Sequence, residues 1–153
     1  MRTITHTIDI AASPEEVWRV LTDLPAYKDW NPFLIEASGA VEVGSRLRIV
    51  MRPGSRTMTF SPTVLEVVPQ QRLRWLGRLL VRGLFDGEHT LTLEALPDGA
   101  CRFTQSERFT GLLVPFFGSV LRATDQAFVR MNEALGARVE RPVQQGPDVT
   151  AAA

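Results

Sequence analysis

Apolar and polar positions alternate at the start of the chain and then change to a helical period. The stretch MRTITHTIDI places isoleucines in alternation with polar residues, which predicts a strand with one buried face. A helix is predicted to begin at SPEEVW, because Ser13 is a common N-cap, Pro14 suits the first helical position and Glu16 completes a capping box. Pro25 is expected to end this helix, since proline cannot continue the hydrogen-bond ladder.

Six further segments are predicted as strands because apolar or alternating runs are separated by turn residues. They lie at about 34–39, 45–52, 57–68, 71–79, 84–96 and 100–110. Glycine, proline and aspartate occupy many of the connections, and these residues favour tight turns between consecutive strands. The segments therefore predict an antiparallel sheet built from hairpins.

The helical period returns at about 112–140, which predicts a long C-terminal helix with one apolar face. Pro115 lacks an amide donor and Gly118 weakens a helix, so we expect an irregular start that opens more readily than the remainder. Residues 1–140 are predicted to form a single domain. Residues 141–153 are predicted to be a disordered tail, because they have little apolar surface to bury.

Composition and charge narrow the class of partner. The 17 Lys and Arg residues balance 17 Asp and Glu residues, so no overall charge favours nucleic acid. One cysteine, Cys101, and two histidines, His6 and His89, make no convincing zinc site, and phosphate-binding glycine motifs are missing. The chain has no secretory signal pattern and no apolar run of the roughly 20 residues that span a bilayer. We expect a cytoplasmic protein without a cofactor.

Three stretches carry a resemblance to a known family. They are SPEEVWRVLTDLPAYKDWNPF, FSPTVLEVVPQQRLRW and FVRMNEAL, which in this order resemble the START/SRPBCC superfamily of birch-pollen-allergen-like and polyketide cyclase/dehydrase-like proteins. The resemblance implies an α+β helix-grip fold, in which a curved antiparallel sheet of about seven strands wraps around a long C-terminal helix, with short helices after the first strand. It also implies a cavity between sheet and helix that accepts an apolar ligand.

The segment LPAYKDWNPF carries three aromatic residues in what reads as a connection. Connections usually lie at the surface and are polar. We therefore interpret the segment as an end wall of the cavity, with Trp30 and Phe33 facing the ligand and Tyr27 in the ordinary core. Ligand is expected to enter between this segment and Phe116 and Phe117 at the start of the long helix.

Strand alternation brings a histidine and a carboxylate to the same face of the sheet. In LFDGEHTLTLEA, His89 shares the parity of the inward-facing leucines, and in CRFTQSERFT, Glu107 shares the parity of the phenylalanines. A three-residue loop at 97–99, predicted as a type I turn with left-handed Gly99, pairs His89 with Glu107. The pair is a candidate acid–base couple or a buried polar pair that binds a ligand; no catalytic residue follows from the family.

The leading hypothesis is a binding module for a small hydrophobic or amphipathic molecule that is lipid-, polyketide- or isoprenoid-like. One alternative is a cyclase or dehydratase that uses His89 and Glu107; another is an interaction protein that uses the arginines of the outer sheet face. Ligand identity, oligomeric state and the occurrence of any chemistry are left open. The predicted ligand-binding residues are Trp30, Phe33, Met51, Trp75, Phe85, His89, Gln105, Glu107, Phe109, Phe117, Leu121 and Phe128.

Overall fold

A computed structural model describes residues 1–79 and 81–140. Its helices and strands are, in chain order, β1 (Arg2–Ile10), α1 (Pro14–Thr22), α2 (Tyr27–Trp30), β2 (Leu34–Ser38), β3 (Arg48–Met51), β4 (Met58–Phe60), β5 (Thr63–Val68), β6 (Arg72–Leu79), β7 (Phe85–Ala95), β8 (Cys101–Thr110) and α3 (Gly118–Glu140). Single 3₁₀ turns precede α2 and α3 and form the loop between β7 and β8. The predicted tail at 141–153 lies outside the described residues.

The first helix begins where the sequence predicts it. The Ser13 hydroxyl accepts a hydrogen bond from the Glu16 amide at 3.3 Å, and the Glu16 carboxylate accepts one from the Ser13 amide at 2.8 Å. This reciprocal capping satisfies two amides that have no partner inside the helix. Val17 and Leu21 are fully buried on the face that packs into the core.

The strands form two antiparallel sheets in the described part of the chain. The larger sheet has the order β1-β8-β7-β6-β5, and the smaller has the order β2-β3-β4. The predicted sheet of about seven strands is found as eight strands in two sheets, because the segment 57–68 divides at Ser61 and Pro62 into β4 and β5. Proline has no amide to donate and interrupts a ladder at this point. The antiparallel arrangement and the long helix of the helix-grip fold are as predicted.

Backbone hydrogen bonds still connect the two sheets beside this break. The Leu47 amide donates to the Pro62 carbonyl at 2.9 Å, and the Val64 amide donates to the Ser45 carbonyl at 2.9 Å. Residues 45–47 thus run beside the start of β5 before β3 turns to pair with β4. The predicted strand at 45–52 is regular only over its second half.

The hairpin of β7 and β8 has the register that alternation predicts. His89 lies opposite Glu107 and Leu91 lies opposite Gln105. The loop conformation differs from the predicted type I turn, because Asp98 is left-handed as well as Gly99, with φ angles of 66° and 79°. The loop length, and therefore the register, is the same in both cases.

The long helix α3 packs its apolar stripe against the sheet. Phe128, Met131 and Leu135 are completely buried, and Gly136 lies close to β1, where an added methyl group would be 3.7 Å from Ile8. The helix starts at Gly118 after a 3₁₀ turn at Val114–Phe117, which agrees with the irregular start predicted from the sequence. No helix of residues 1–79 and 81–140 is long and apolar enough to cross a membrane.

Candidate ligand-binding cavity

A cavity of about 60 Å³ lies between the sheets and the first turns of α3. Both sheets and the helix contribute to its wall, so it occupies the concave side of the fold. Eighteen residues line it: Phe33, Leu34, Ile49, Met51, Met58, Phe60, Pro62, Trp75, Gly77, Leu79, Phe85, Gly87, His89, Glu107, Phe109, Phe117, Val120 and Thr124. Only three of these side chains, those of His89, Glu107 and Thr124, carry polar atoms other than the tryptophan ring nitrogen.

Eight of the twelve predicted ligand-binding residues line this cavity: Phe33, Met51, Trp75, Phe85, His89, Glu107, Phe109 and Phe117. The other four, Trp30, Gln105, Leu121 and Phe128, lie outside its wall. Gln105, Leu121 and Phe128 are buried in the packing between sheet and helix. Contact of any of the twelve with a ligand remains a prediction.

The aromatic segment LPAYKDWNPF contributes mainly to the core. Tyr27 is fully buried and its hydroxyl donates to the Leu21 carbonyl at 2.7 Å, which makes it a core residue as expected. Trp30 packs edge-on against Tyr27, with ring centroids 5.2 Å apart, so its predicted position on the cavity wall is corrected.

Asn31 turns the chain so that Phe33 reaches the cavity. The side-chain oxygen of Asn31 accepts hydrogen bonds from the amides of Phe33 at 3.0 Å and Leu34 at 2.8 Å. Such a local bond fixes a turn directly before a strand. Phe33 therefore links the segment to the cavity wall, where it also packs on Phe128 with ring centroids 5.5 Å apart. The predicted entrance beside Phe117 remains a prediction.

The side chain of His89 contacts Glu107, Gln105 and Trp75. Its Nδ1 atom lies 3.4 Å from Glu107 Oε2, its Nε2 atom lies 3.1 Å from Gln105 Nε2, and its ring stacks on Trp75 with centroids 4.8 Å apart. With the Gln105 amide as donor, Nε2 is the acceptor and the imidazole proton lies on Nδ1, towards the carboxylate. The 3.4 Å separation is a close contact that is longer than a charge-assisted hydrogen bond.

Gly87 makes room for the Glu107 carboxylate. A Cβ atom at this position would lie 2.6 Å from Glu107 Oε1, which is shorter than any stable contact. Gly87 is also the residue paired with Gly77 on β6, and both glycines line the cavity. The Glu107 carboxylate thus occupies the space that a side chain at position 87 would fill, and Gly77 adds no side chain beside it.

Several lining residues were missed by the sequence reasoning. Met58, Phe60 and Pro62 border the break between β4 and β5, which alternation alone does not show. The sequence could have indicated Gly77 and Gly87, because a glycine inside a strand often marks the close approach of another group. Val120 and Thr124 follow from the helical period once the start of α3 at Gly118 is known.

The arginines on the outer face of the sheet are largely compensated by carboxylates. Arg74 lies 3.1 Å from Glu66 and 3.2 Å from Glu88, and Arg48 lies 3.1 Å from Glu36. These ion pairs favour a solvated sheet face over the basic interaction surface considered from the sequence.

The described residues also bear on metal binding. In residues 1–79 and 81–140, no three His, Cys, Asp or Glu side chains are placed so that they could hold a metal ion. His6 instead bonds Asp125 of α3 through Nε2 at 2.8 Å. Cys101 is fully buried, and this burial raises the pKa of its thiol.

Comparison with known proteins gives the family and the fold. The sequence profile of the family described as polyketide cyclase / dehydrase and lipid transport matches residues 1–140. No curated protein matches the chain significantly in sequence. Among solved structures, the chain is similar to the Zhui aromatase/cyclase from Streptomyces sp. R1128, with 18% identity, a TM-score of 0.76, and coverage of 94% of this chain and 96% of that one.

Two further solved structures share the fold over nearly their whole length. A START superfamily protein from Mycobacterium smegmatis is 18% identical, with a TM-score of 0.71 and coverage of 90% of this chain and 97% of the other. Protein MLL2253 from Mesorhizobium loti is 22% identical, with a TM-score of 0.72 and coverage of 89% and 95%. These structural similarities establish the START-like helix-grip fold.

Proposed function

The chain belongs to the polyketide cyclase/dehydrase and lipid transport family, and we propose that it binds a small hydrophobic or amphipathic molecule in the cavity between the sheets and α3. The observation that carries this proposal is the composition of the wall, in which apolar and aromatic side chains surround a few polar groups. Ligand sites are typically built in this way, with apolar walls for affinity and isolated polar groups for orientation. His89 and Glu107 are the polar groups that would orient a carbonyl or hydroxyl of the ligand.

The size of the cavity limits what enters without rearrangement. Its 60 Å³ is room for a few water molecules, since one water needs about 10–15 Å³ of such space. Met51 and Met58 line the wall, and methionine changes its shape at little cost. We therefore expect a compact ring system or a short apolar chain to bind by displacing these flexible side chains.

Replacing either of two valines on α3 with phenylalanine tests the proposal. Val120 lines the cavity, whereas Val129 is exposed on the outer side of α3. In a titration with the fluorescent apolar probe 1-aminoanthracene, we expect Val120→Phe to weaken binding by about tenfold or more, because the added ring fills the cavity. Val129→Phe adds the same ring at the surface and should leave the dissociation constant unchanged.

Two outcomes of this titration count against cavity binding. The first is that the unmodified protein does not bind the probe. The second is that Val120→Phe and Val129→Phe bind it as tightly as the unmodified protein does.

A second candidate function is a cyclase or dehydratase that uses the same cavity. The contact of His89 with Glu107 supports it, because an imidazole oriented by a carboxylate can accept and return a proton next to a bound carbonyl. Binding remains the leading proposal, since Gln105 occupies the Nε2 atom of His89 and a base at this position would have to give up that contact. Orienting a ligand oxygen needs only the Nδ1 atom, whose contact with Glu107 is loose at 3.4 Å.

The two functions separate in a His89→Ala variant. A catalytic histidine predicts that turnover of a polyketide-like substrate is lost while the affinity for that substrate largely remains. A ligand-orienting histidine predicts weaker binding in the same variant and no turnover in either protein. Glu107→Gln keeps the shape of the side chain and reports whether its negative charge contributes.

A further inference from the structure

Beside the break between β4 and β5, side chains alone close the wall of the cavity; this part of the wall, where β4 and β6 share no strand pairing, is called the gap. β5 pairs with β6 only as far as the Thr63–Leu76 pair, while β6 continues through Gly77 to Leu79 along β7. β4, which precedes the break, pairs with β3 and belongs to the other sheet. The last three residues of β6 and the three residues of β4 therefore face each other without a shared ladder of hydrogen bonds.

A polar groove of about 460 Å³ covers the outer side of this gap. It is lined by Arg46, Thr59, Phe60, Ser61, Thr63, Leu76, Arg78 and Leu79. Three hydroxyl groups and two guanidinium groups thus meet on a surface where the neighbouring strands run apart. The groove is much larger than the inner cavity, and it is open to solvent.

Two side chains separate the groove from the cavity. Phe60 and Leu79 line both spaces, and each is half-buried. On β4 and β6 the neighbouring side chains point alternately to the two sides, so Thr59 and Arg78 face the groove while Met58 and Gly77 face the cavity. A displacement of the Phe60 or Leu79 side chain would join the polar groove to the apolar cavity through the gap.

The charge of the groove is positive. Arg46 makes no ion pair with a carboxylate in the described part of the chain, whereas Arg48 on β3 and Arg74 on β6 do. Arg78 has only a loose contact with Asp86, at 3.9 Å, and Asp86 also accepts a hydrogen bond from the Gly83 amide at 3.1 Å. Two guanidinium groups beside three hydroxyl donors are suited to a carboxylate or phosphate oxygen.

We propose that the groove binds the anionic head group of an amphipathic ligand whose apolar part passes between Phe60 and Leu79 into the cavity. This inference rests on the proposed function, because the apolar part occupies the same cavity. It adds the chemical class of the ligand, an apolar chain or ring that ends in a carboxylate or a phosphate. Arg46 and Arg78 hold the head, and Thr59, Ser61 and Thr63 supply neutral hydrogen bonds.

Calorimetric titrations with three eight-carbon probes test the head-group site. Octanoate and octyl phosphate carry the two possible anionic heads, and octanol carries the same chain without a charge. We expect the double variant Arg46→Gln, Arg78→Gln to weaken binding of the preferred anion by about tenfold or more, because charge-assisted hydrogen bonds are lost. Binding of octanol should not change.

Arg72→Gln is the matched control. Arg72 is an exposed arginine of β6 outside the groove, and its replacement should leave all three affinities unchanged.

The outcomes separate the two proposals. If octanol binds as tightly as both anions, or if the double variant leaves anion binding unchanged, the head-group site is wrong and the apolar cavity stands. If none of the three probes binds, the head-group proposal is wrong, and the titration with 1-aminoanthracene decides the cavity proposal separately. If octanoate and octyl phosphate differ in affinity, the tighter one identifies the head group. Gly77→Val checks the route, because a side chain on the cavity side of the gap, next to Pro62, should weaken binding of both anions; unchanged affinity would exclude passage through the gap.

Discussion

At the scale of single residues, the position of the Glu107 carboxylate depends on a glycine. Gly87 lies in the strand next to Glu107, and any Cβ atom there would overlap Glu107 Oε1. The overlap involves the end of a flexible side chain, so the chain can still fold if the carboxylate moves. The position of the carboxylate that contacts His89 therefore fits a glycine at position 87 and clashes with any larger residue.

We expect Gly87→Ala to displace the Glu107 carboxylate from His89 while the protein remains folded. In NMR spectra, the ring signals of His89 should shift because the neighbouring carboxylate has moved. Gly77→Ala is the matched control, since a Cβ atom at that position meets no other atom closer than 3.9 Å. A crystal structure of Gly87→Ala that keeps the 3.4 Å contact between His89 and Glu107 would contradict this explanation.

At the scale of secondary-structure elements, α3 has two parts that differ in how they are anchored. Leu112 and Phe116, which precede the helix, are 77% and 80% exposed, and the chain there forms a 3₁₀ turn around Pro115. Phe128 and Met131, in the middle of α3, are completely buried. An amide in a helix exchanges when its hydrogen bond opens, and the burial of apolar side chains raises the free energy of that opening.

Hydrogen exchange along this segment should therefore be uneven. We expect amides at 112–118 to exchange at least about tenfold faster than those at 127–135, since local opening of the first part breaks few buried contacts. Mass spectrometry of peptic fragments, or NMR of individual amides, measures both. Equal protection over the two stretches would show that the start of α3 is as firmly held as its centre.

Comparison of elements also shows what the sequence can and cannot predict. The capping box of Ser13 and Glu16 and the hairpin register of His89 and Glu107 were predicted correctly, because each depends on neighbouring residues or on strict alternation. Trp30 was misplaced, since the direction of a side chain in a connection depends on tertiary packing. The break at Pro62 was missed because the residues on both sides of it have the same strand-like composition.

At the scale of the whole molecule, the fold supplies a cavity whose occupant is set by a small part of the wall. Proteins that share this fold with less than 25% identity can differ in what they bind, since function depends on the residues of the site. In this chain, the features of the wall that bear on the ligand are the pair of facing glycines, the His89–Glu107 pair and the gap beside Phe60. These features, more than the fold, define the expected ligand.

A crystal structure of the complex with 1-aminoanthracene tests the central claim most directly. We predict electron density for the probe between the sheets and α3, in contact with Trp75, Phe109 and Phe117, with Met51 or Met58 moved from the position described above. Binding by displacement of these flexible side chains also predicts a larger cavity than the 60 Å³ found without a ligand. Density for the probe only on the outer surface, with the cavity unchanged at saturating concentration, would contradict the claim that this protein binds apolar molecules inside its fold.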